Sequence, residues 1–203
     1  MNTRVERFDM PSTGSFLDAA ITRGQSQAAF RAGAVLFVTV LTVVAAQVSI
    51  PLPFTPVPFT LQPMVVLLGG AALGARLGMS SQILYLVLGI AGLPVFAASP
   101  ILPQGFGRLL GPTGGYLLSY PLAAFVTGCL AQRGFDRRYL TSVLAMVAGL
   151  AIIFTCGVLW LAFGMHAGFA AALTTGLIPF IPADIVKVFL AAMILPAAWK
   201  FLR

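Results

Sequence analysis

Nineteen consecutive residues, Ala32 to Ile50, carry no charge. A helix over that run reaches roughly 28 Å, close to the hydrocarbon thickness of a bilayer. The pattern recurs at Leu77–Leu93, Tyr116–Gln132 and Tyr139–Phe163, which are also uncharged, and in two further apolar runs, Met64–Ala75 and Leu177–Leu202. Charged residues make up 8% of the chain, against about 25% in a soluble domain. That is too little charge to cover a water-facing surface, and too much hydrophobicity for disorder. The sequence predicts an all-α integral membrane protein. A cytoplasmic N-terminal segment, residues 1–31, precedes a substrate-binding domain of six transmembrane helices over 32–203.

The formal net charge of +7 points to a membrane face and not to nucleic acid, because the basic residues punctuate apolar runs instead of forming a stripe. Six crossings put both termini on one side. Arg4, Arg7, Arg23, Arg31, Arg76, Arg133, Arg137, Arg138, Lys200 and Arg203 then share that side, and Arg108 alone lies on the other. The asymmetry predicts cytoplasmic termini in a multi-pass protein of the cytoplasmic (inner) membrane. Residues 1–27 hold Arg4, Glu6, Arg7, Asp9, Asp18 and Arg23, and lack the apolar core of a cleavable signal peptide. Within them, Ser15-Phe-Leu-Asp18 has the spacing of a capping box for a short surface helix.

Two connections on the outer side are unusual. Residues 51–63 contain Pro51, Pro53, Pro56, Pro58 and Pro63, which forbids a regular helix, yet the segment is uncharged and includes Phe54 and Phe59. Non-helical backbone at membrane depth is tolerated where it lines a cavity, so this segment is expected to fold inward as a cavity wall. Residues 94–115 carry four prolines, five glycines and one charge, Arg108. Together with the connection holding His166, these outer loops are expected to enclose a ligand pocket open to the outside. Cys129 and Cys156 fall at different depths, about 20 Å apart at helical rise, which excludes a disulfide.

Asp184 and Lys187 are the charges that fall within a span, in Pro179-Phe-Ile-Pro-Ala-Asp-Ile-Val-Lys187. A charge at mid-membrane costs at least about 2.5 kcal/mol and needs a reason. Pro182 suits a helix start, which sets Asp184 in the first turn where the helix dipole favours an anion. The i, i+3 spacing puts an acceptor-only group beside a donor-only group on one face. No phosphate-binding Gly-Lys loop, His-Glu-x-x-His helix or Ser-His-Asp set is present, so neither catalysis, nor a metal site, nor a cofactor is expected.

Three segments carry a resemblance: Gln47 through Gln62, Gly111-Pro-Thr-Gly-Gly-Tyr116 and Phe180-Ile-Pro-Ala-Asp-Ile-Val-Lys187, with Gly92-Leu-Pro-Val-Phe96 in addition. They resemble the BioY family, the biotin-binding S components of energy-coupling factor (ECF) transporters, from about residue 32 to the end. The resemblance implies biotin capture from outside, with a coupling protein and two ATPases as partners that energise uptake. The substrate site expected from these segments together with the placement of charge and aromatic residues holds Asp184, Lys187, Tyr116, Arg108, Phe54, Phe59, Gln62, Gly114 and Gly115, although the segment match does not by itself assign Arg108 to the ligand. Asp184 would accept from the ureido N–H groups, and Lys187 would donate to the ring carbonyl or to a carboxylate. Phe54, Phe59 and Tyr116 would wall the apolar parts. Arg108 is either an exposed loop arginine or the partner of the ligand carboxylate. S components often dock through Ala-x-x-x-Ala in the first span. Here that stretch reads Thr39-Val-Leu-Thr-Val43, while Ala28 and Ala32 have the spacing at its inner end. Two alternatives stand beside this reading: a self-sufficient, proton-coupled carrier, and an S component for another vitamin.

Overall fold

The computed structural model describes residues 14–20, 27–99 and 102–201. Arg4, Arg7, Arg23 and Arg203, used in the charge asymmetry, lie outside the described residues, as does most of the 1–31 segment. Helix α1 (Phe16–Ala20) is followed by α2 (Gln27–Gln47), α3 (Gln62–Leu73), α4 (Ala75–Ile90), α5 (Gly107–Leu110), α6 (Gly114–Gln132), α7 (Tyr139–Leu159), α8 (Phe169–Gly176) and α9 (Ile181–Phe201). Four of these, α2, α6, α7 (extended by a π turn over Trp160–Gly164) and α9, are long and apolar enough to cross a membrane. The exposed faces agree with a lipid solvent. Leu36, Phe37, Val40 and Val44 on α2, and Val186, Phe189, Leu190 and Met193 on α9, each expose more than half of their surface, a patch that a soluble monomer does not tolerate.

Helices α3 and α4 are shorter, 12 and 16 residues, about 18 and 24 Å long. They form an antiparallel pair, since Gln62 at the start of α3 bonds Tyr85 late in α4. The corner was expected at Arg76. It lies at Gly74 instead, with φ of 82°, a conformation that favours glycine, and Arg76 is an exposed residue inside α4. The two helices also approach closely at glycines: a Cβ on Gly78 would sit 2.7 Å from the Gly70 Cα. Thr39, Thr42, Ser81 and Gln82 then tie α2 to α4 by hydrogen bonds inside the apolar layer, with Gln82 Nε2 donating to Thr42 Oγ1 at 3.3 Å. Helix α6 sits at the centre, packed against α3, α4 and α7.

Other boundaries differ from expectation in instructive ways. Helix α2 starts at Gln27, so Arg31 lies within it, extending its side chain to Asp18 at 3.2 Å. The run from Leu177 is not continuous helix: Phe169–Gly176 forms the separate α8, and α9 begins only at Ile181. Pro179 and Pro182 fit the interruption, because neither has an amide hydrogen to continue the α8 ladder, and Pro182 is the second residue of α9, where none is needed. The capping box is present. Ser15 Oγ donates to Asp18 Oδ2 at 2.8 Å and accepts from the Asp18 amide at 3.2 Å. Cys129 and Cys156 are unpaired.

Candidate functional site

The proline-rich segment supplies both local structure and a wall. Ser49–Ile50 (β1) and Phe59–Thr60 (β2) pair antiparallel, Ser49 with Thr60 and Ile50 with Phe59, which closes residues 51–58 into a loop. The prolines leave few amides needing partners, so a two-rung ladder suffices. Val57, Pro58, Thr60 and Gln62 from this segment face a cavity. Phe96, Ala97, Arg108 and Thr113 from the second connection close another side. Helix α6 presents Tyr116, Leu117 and Tyr120, helix α7 presents Ile153 and Phe154, and Phe180, Asp184 and Lys187 complete the ring from the start of α9. Helices α3, α6 and α9 all begin at this cavity, so three partially positive helix ends converge on it.

Asp184 stands in the first turn of α9, and its amide donates to the Phe180 carbonyl at 2.9 Å. Lys187 Nζ donates to Asp184 Oδ1 at 2.6 Å and to the Thr60 carbonyl at 2.6 Å, and lies 3.6 Å from the centre of the Phe59 ring. The ammonium thereby pins the β1–β2 loop to α9. Two of its three protons are committed within the protein. Asp184 Oδ2 accepts no hydrogen bond among the described residues, although the side chain is only 4% exposed. A carboxylate oxygen without a donor, on a largely buried side chain at the wall of a cavity, fits a ligand N–H.

Arg108 is buried, at 1% exposure, which removes the exposed-loop reading. Its guanidinium donates to the Ala97 carbonyl and, at 3.2 Å, to the Leu102 carbonyl, and this ties those two residues of the second connection to one cation. Behind the wall runs a polar relay. Thr60 Oγ1 donates to Gln62 Oε1 at 3.5 Å, Gln62 Nε2 to the Tyr85 hydroxyl at 2.7 Å, and the Tyr85 hydroxyl to the Val95 carbonyl at 3.3 Å. Tyr116 donates to the Gly176 carbonyl at 2.7 Å, anchoring α8.

The nine residues singled out from the sequence therefore separate. Asp184, Lys187, Tyr116, Arg108 and Gln62 meet at the cavity. Phe59 covers Lys187 from the loop side. Phe54 does not reach the cavity: it sits at the exposed reversal of the β1–β2 loop, 60% accessible. Gly114 and Gly115 serve packing. A Cβ on Gly115 would lie 2.6 Å from the Cys156 carbonyl, and one on Gly114 would strike the Leu109 carbonyl. Sequence reasoning missed Thr113, Tyr120, Phe96, Phe154 and Phe180. Tyr120 was within reach of it, because it is one helical turn beyond Tyr116 and on the same face. Its hydroxyl makes no hydrogen bond among the described residues, and neither does the buried Thr113 Oγ1.

A family model described as the BioY family matches residues 22–203. A probable biotin transporter BioY from Pyrococcus horikoshii is 44% identical over 159 residues, which cover 78% of this chain and 89% of that protein. The biotin transporter BioY of Thermotoga maritima is 42% identical over 156 residues, covering 77% and 88%. That of Rhizobium etli is 32% identical over 166 residues, covering 78% and 87%. Among solved structures, the chain is similar to the S-component for biotin from an ECF-type ABC transporter, with a TM-score of 0.78 and 27% identity, over 89% of this chain and 95% of that one.

Proposed function

The chain belongs to the BioY family, and from that premise we propose that it is the biotin-capturing subunit of an ECF-type transporter, with the cavity between α3, α6 and α9 as its biotin site. Family members are transporters, and this chain is not an enzyme. The observation that carries the site assignment is the pairing of Asp184 and Lys187 at the cavity wall with one carboxylate oxygen left unpartnered. Biotin offers two ureido N–H donors and one carbonyl acceptor on its ring, an apolar thioether and valeryl chain, and a terminal carboxylate. Asp184 Oδ2 accepts from the ureido ring. Phe96, Phe154 and Phe180 cover the apolar parts. Arg108 and Lys187 against Asp184 leave the cavity one positive charge in excess, and the biotin carboxylate neutralises it.

In this reading α3 and α4 complete six crossings with α2, α6, α7 and α9. The basic end, with Arg76, Arg133, Arg137, Arg138 and Lys200, faces the cytoplasm with both termini, and the cavity opens outward. Ala28 and Ala32 are exposed at the cytoplasmic end of α2, where a small-residue pair suits close approach of a coupling protein. Titration calorimetry of the detergent-purified chain tests the ligand: biotin should bind, and thiamin and riboflavin should not. Uptake in cells lacking every coupling module, with and without a proton gradient, tests the partner. Undiminished uptake there would replace the subunit reading with a self-sufficient carrier.

A further inference from the structure

The basic connection between α6 and α7 is a folded element with a cavity of its own, and the biotin site does not use it. Arg133, Gly134, Phe135, Arg137, Arg138 and Thr141 line this cavity. Its shape is fixed from below. Gly134 turns the chain at φ of 89°, and Phe135–Arg137 form one 3₁₀ turn. Thr141 Oγ1 donates to the Phe135 carbonyl at 2.7 Å and to the Arg138 carbonyl at 3.1 Å. The connection's one carboxylate, Asp136, points away from the arginines' cavity: it is 1% exposed and accepts from Trp199 Nε1 at 2.7 Å. Among the described residues Arg133 and Arg138 pair with no carboxylate. Helix α7 begins directly after Arg138 with no side-chain cap, which adds the positive end of a 21-residue helix. Arg137 lies over the Trp199 ring, so the exposed guanidinium groups of Arg133 and Arg138 are the ones that an anion seated in the cavity would neutralise.

We propose that this cavity binds the phosphate of an anionic phospholipid. The phosphate suits the planar, bidentate donors of arginine. A lipid, and not a soluble phosphate, is indicated by what lies beside the cavity. Leu140 is 75% exposed and Leu144, one turn along α7, is 54% exposed, so an apolar strip for an acyl chain begins where the arginines end. Tyr139 is 45% exposed between them, and its hydroxyl accepts from Lys200 Nζ at 3.4 Å, an aromatic and cationic pair of the kind found at headgroup level. The orientation proposed above assigns the lipid to the cytoplasmic leaflet. The binding itself does not depend on that orientation or on biotin.

Native mass spectrometry of the full chain in detergent, titrated with phosphatidylglycerol, phosphatidylcholine or inorganic phosphate, tests the site, with biotin affinity of each variant as the check on folding. Phosphatidylglycerol should be retained one to one, in preference to phosphatidylcholine. Arg133→Gln and Arg138→Gln should each weaken that retention about fivefold or more. Arg76→Gln removes the same charge at the same end of the molecule and should leave it unchanged. Equal losses in Arg76→Gln and Arg138→Gln would mean diffuse attraction with no built site. Inorganic phosphate that displaces phosphatidylglycerol at millimolar concentration would make this a soluble-anion site. Equal retention of the two lipids would remove the anion altogether. Each of these results overturns the proposal while leaving the biotin assignment untouched.

Discussion

Two carboxylates, Asp184 and Asp136, are buried among the described residues, at opposite ends of the bundle, and they are housed differently. Asp184 bonds an ammonium through one oxygen at 2.6 Å and turns the other toward a cavity lined by aromatic rings. Asp136 accepts from an indole N–H at 2.7 Å, and its Oδ1, also buried, accepts nothing among the described residues. Around Asp136 there is packing instead of space. The Trp199 ring meets Phe16 edge-on at 5.5 Å, and the Arg137 guanidinium lies 5.0 Å from the Trp199 ring centre. Burial alone therefore does not mark a ligand group. A directly bonded ammonium together with room for a donor distinguishes Asp184, the carboxylate proposed to hold ligand, from one that staples α1, the 3₁₀ turn and α9 together.

The largest effect is expected from Lys187→Met, which keeps the stem and removes every donor. Asp184 is left as a buried charge without its cation, and the β1–β2 loop loses its tie at the Thr60 carbonyl. Calorimetry should show a loss of biotin affinity of about a hundredfold or more, at least as large as that from Asp184→Asn. Asp184→Asn replaces an acceptor-only group with a mixed one. A charged hydrogen bond is worth about 1.5–3 kcal/mol, so affinity should fall roughly ten- to a hundredfold. The double variant should lose distinctly less than the two single losses combined, because the residues share one network. Strictly additive losses would show that they act separately, and an unchanged affinity in Asp184→Asn would take that residue out of the site.

How much of this was legible beforehand follows from what each residue's signal depends on. The long helices were visible because lipid demands uninterrupted apolar runs, and α2, α6, α7 and α9 fall within a few residues of them. The Asp184–Lys187 pair was visible because charge inside such a run is conspicuous. The corner at Gly74 was not, since Arg76 two residues on gave a louder but misleading signal, and a glycine's φ is set by tertiary contacts. Helix α8 hid inside an apolar stretch that looked continuous. Phe54 resembled a cavity wall because composition does not record which side of a loop a ring faces. Asp136 passed for one charge in a basic loop because its partner, Trp199, is 63 residues away.

A smaller effect sharpens the contrast from the cavity side. Tyr120→Phe and Thr113→Val each remove a hydroxyl that has no protein partner among the described residues. If the ligand supplies the missing partner, each neutral hydrogen bond is worth about 0.5–1.5 kcal/mol, and affinity should fall roughly two- to tenfold with little change in unfolding temperature. A rise in stability with unaltered affinity would show that the hydroxyl is merely an uncompensated polar group.

The smallest effect on biotin is expected at Asp136, where the comparison makes its sharpest demand. Asp136→Asn should leave affinity unchanged within about twofold, because the residue stands at the far end of the bundle from the cavity, and should act on stability alone. Burial pushes the Asp136 carboxyl above its ordinary value, and the Trp199 N–H and the neighbouring Arg137 offset only part of that shift. The folded chain therefore holds this proton at pH values where the unfolded chain, with its carboxyl near 3.9, has released it. Below about pH 4 both states are protonated and the residue contributes no pH dependence. As pH rises through the folded value, the folded state must carry a buried anion, and stability declines to a plateau. Asparagine has no such titration. The stability of Asp136→Asn relative to the parent should accordingly improve from pH 4 toward neutrality, as read from thermal unfolding in one detergent across that range. A difference that stays flat with pH would mean that the folded carboxyl titrates normally. One that worsens toward neutrality would mean that Asp136 is stabilised as an anion, and its reading as a packed carboxylate without full compensation would fail.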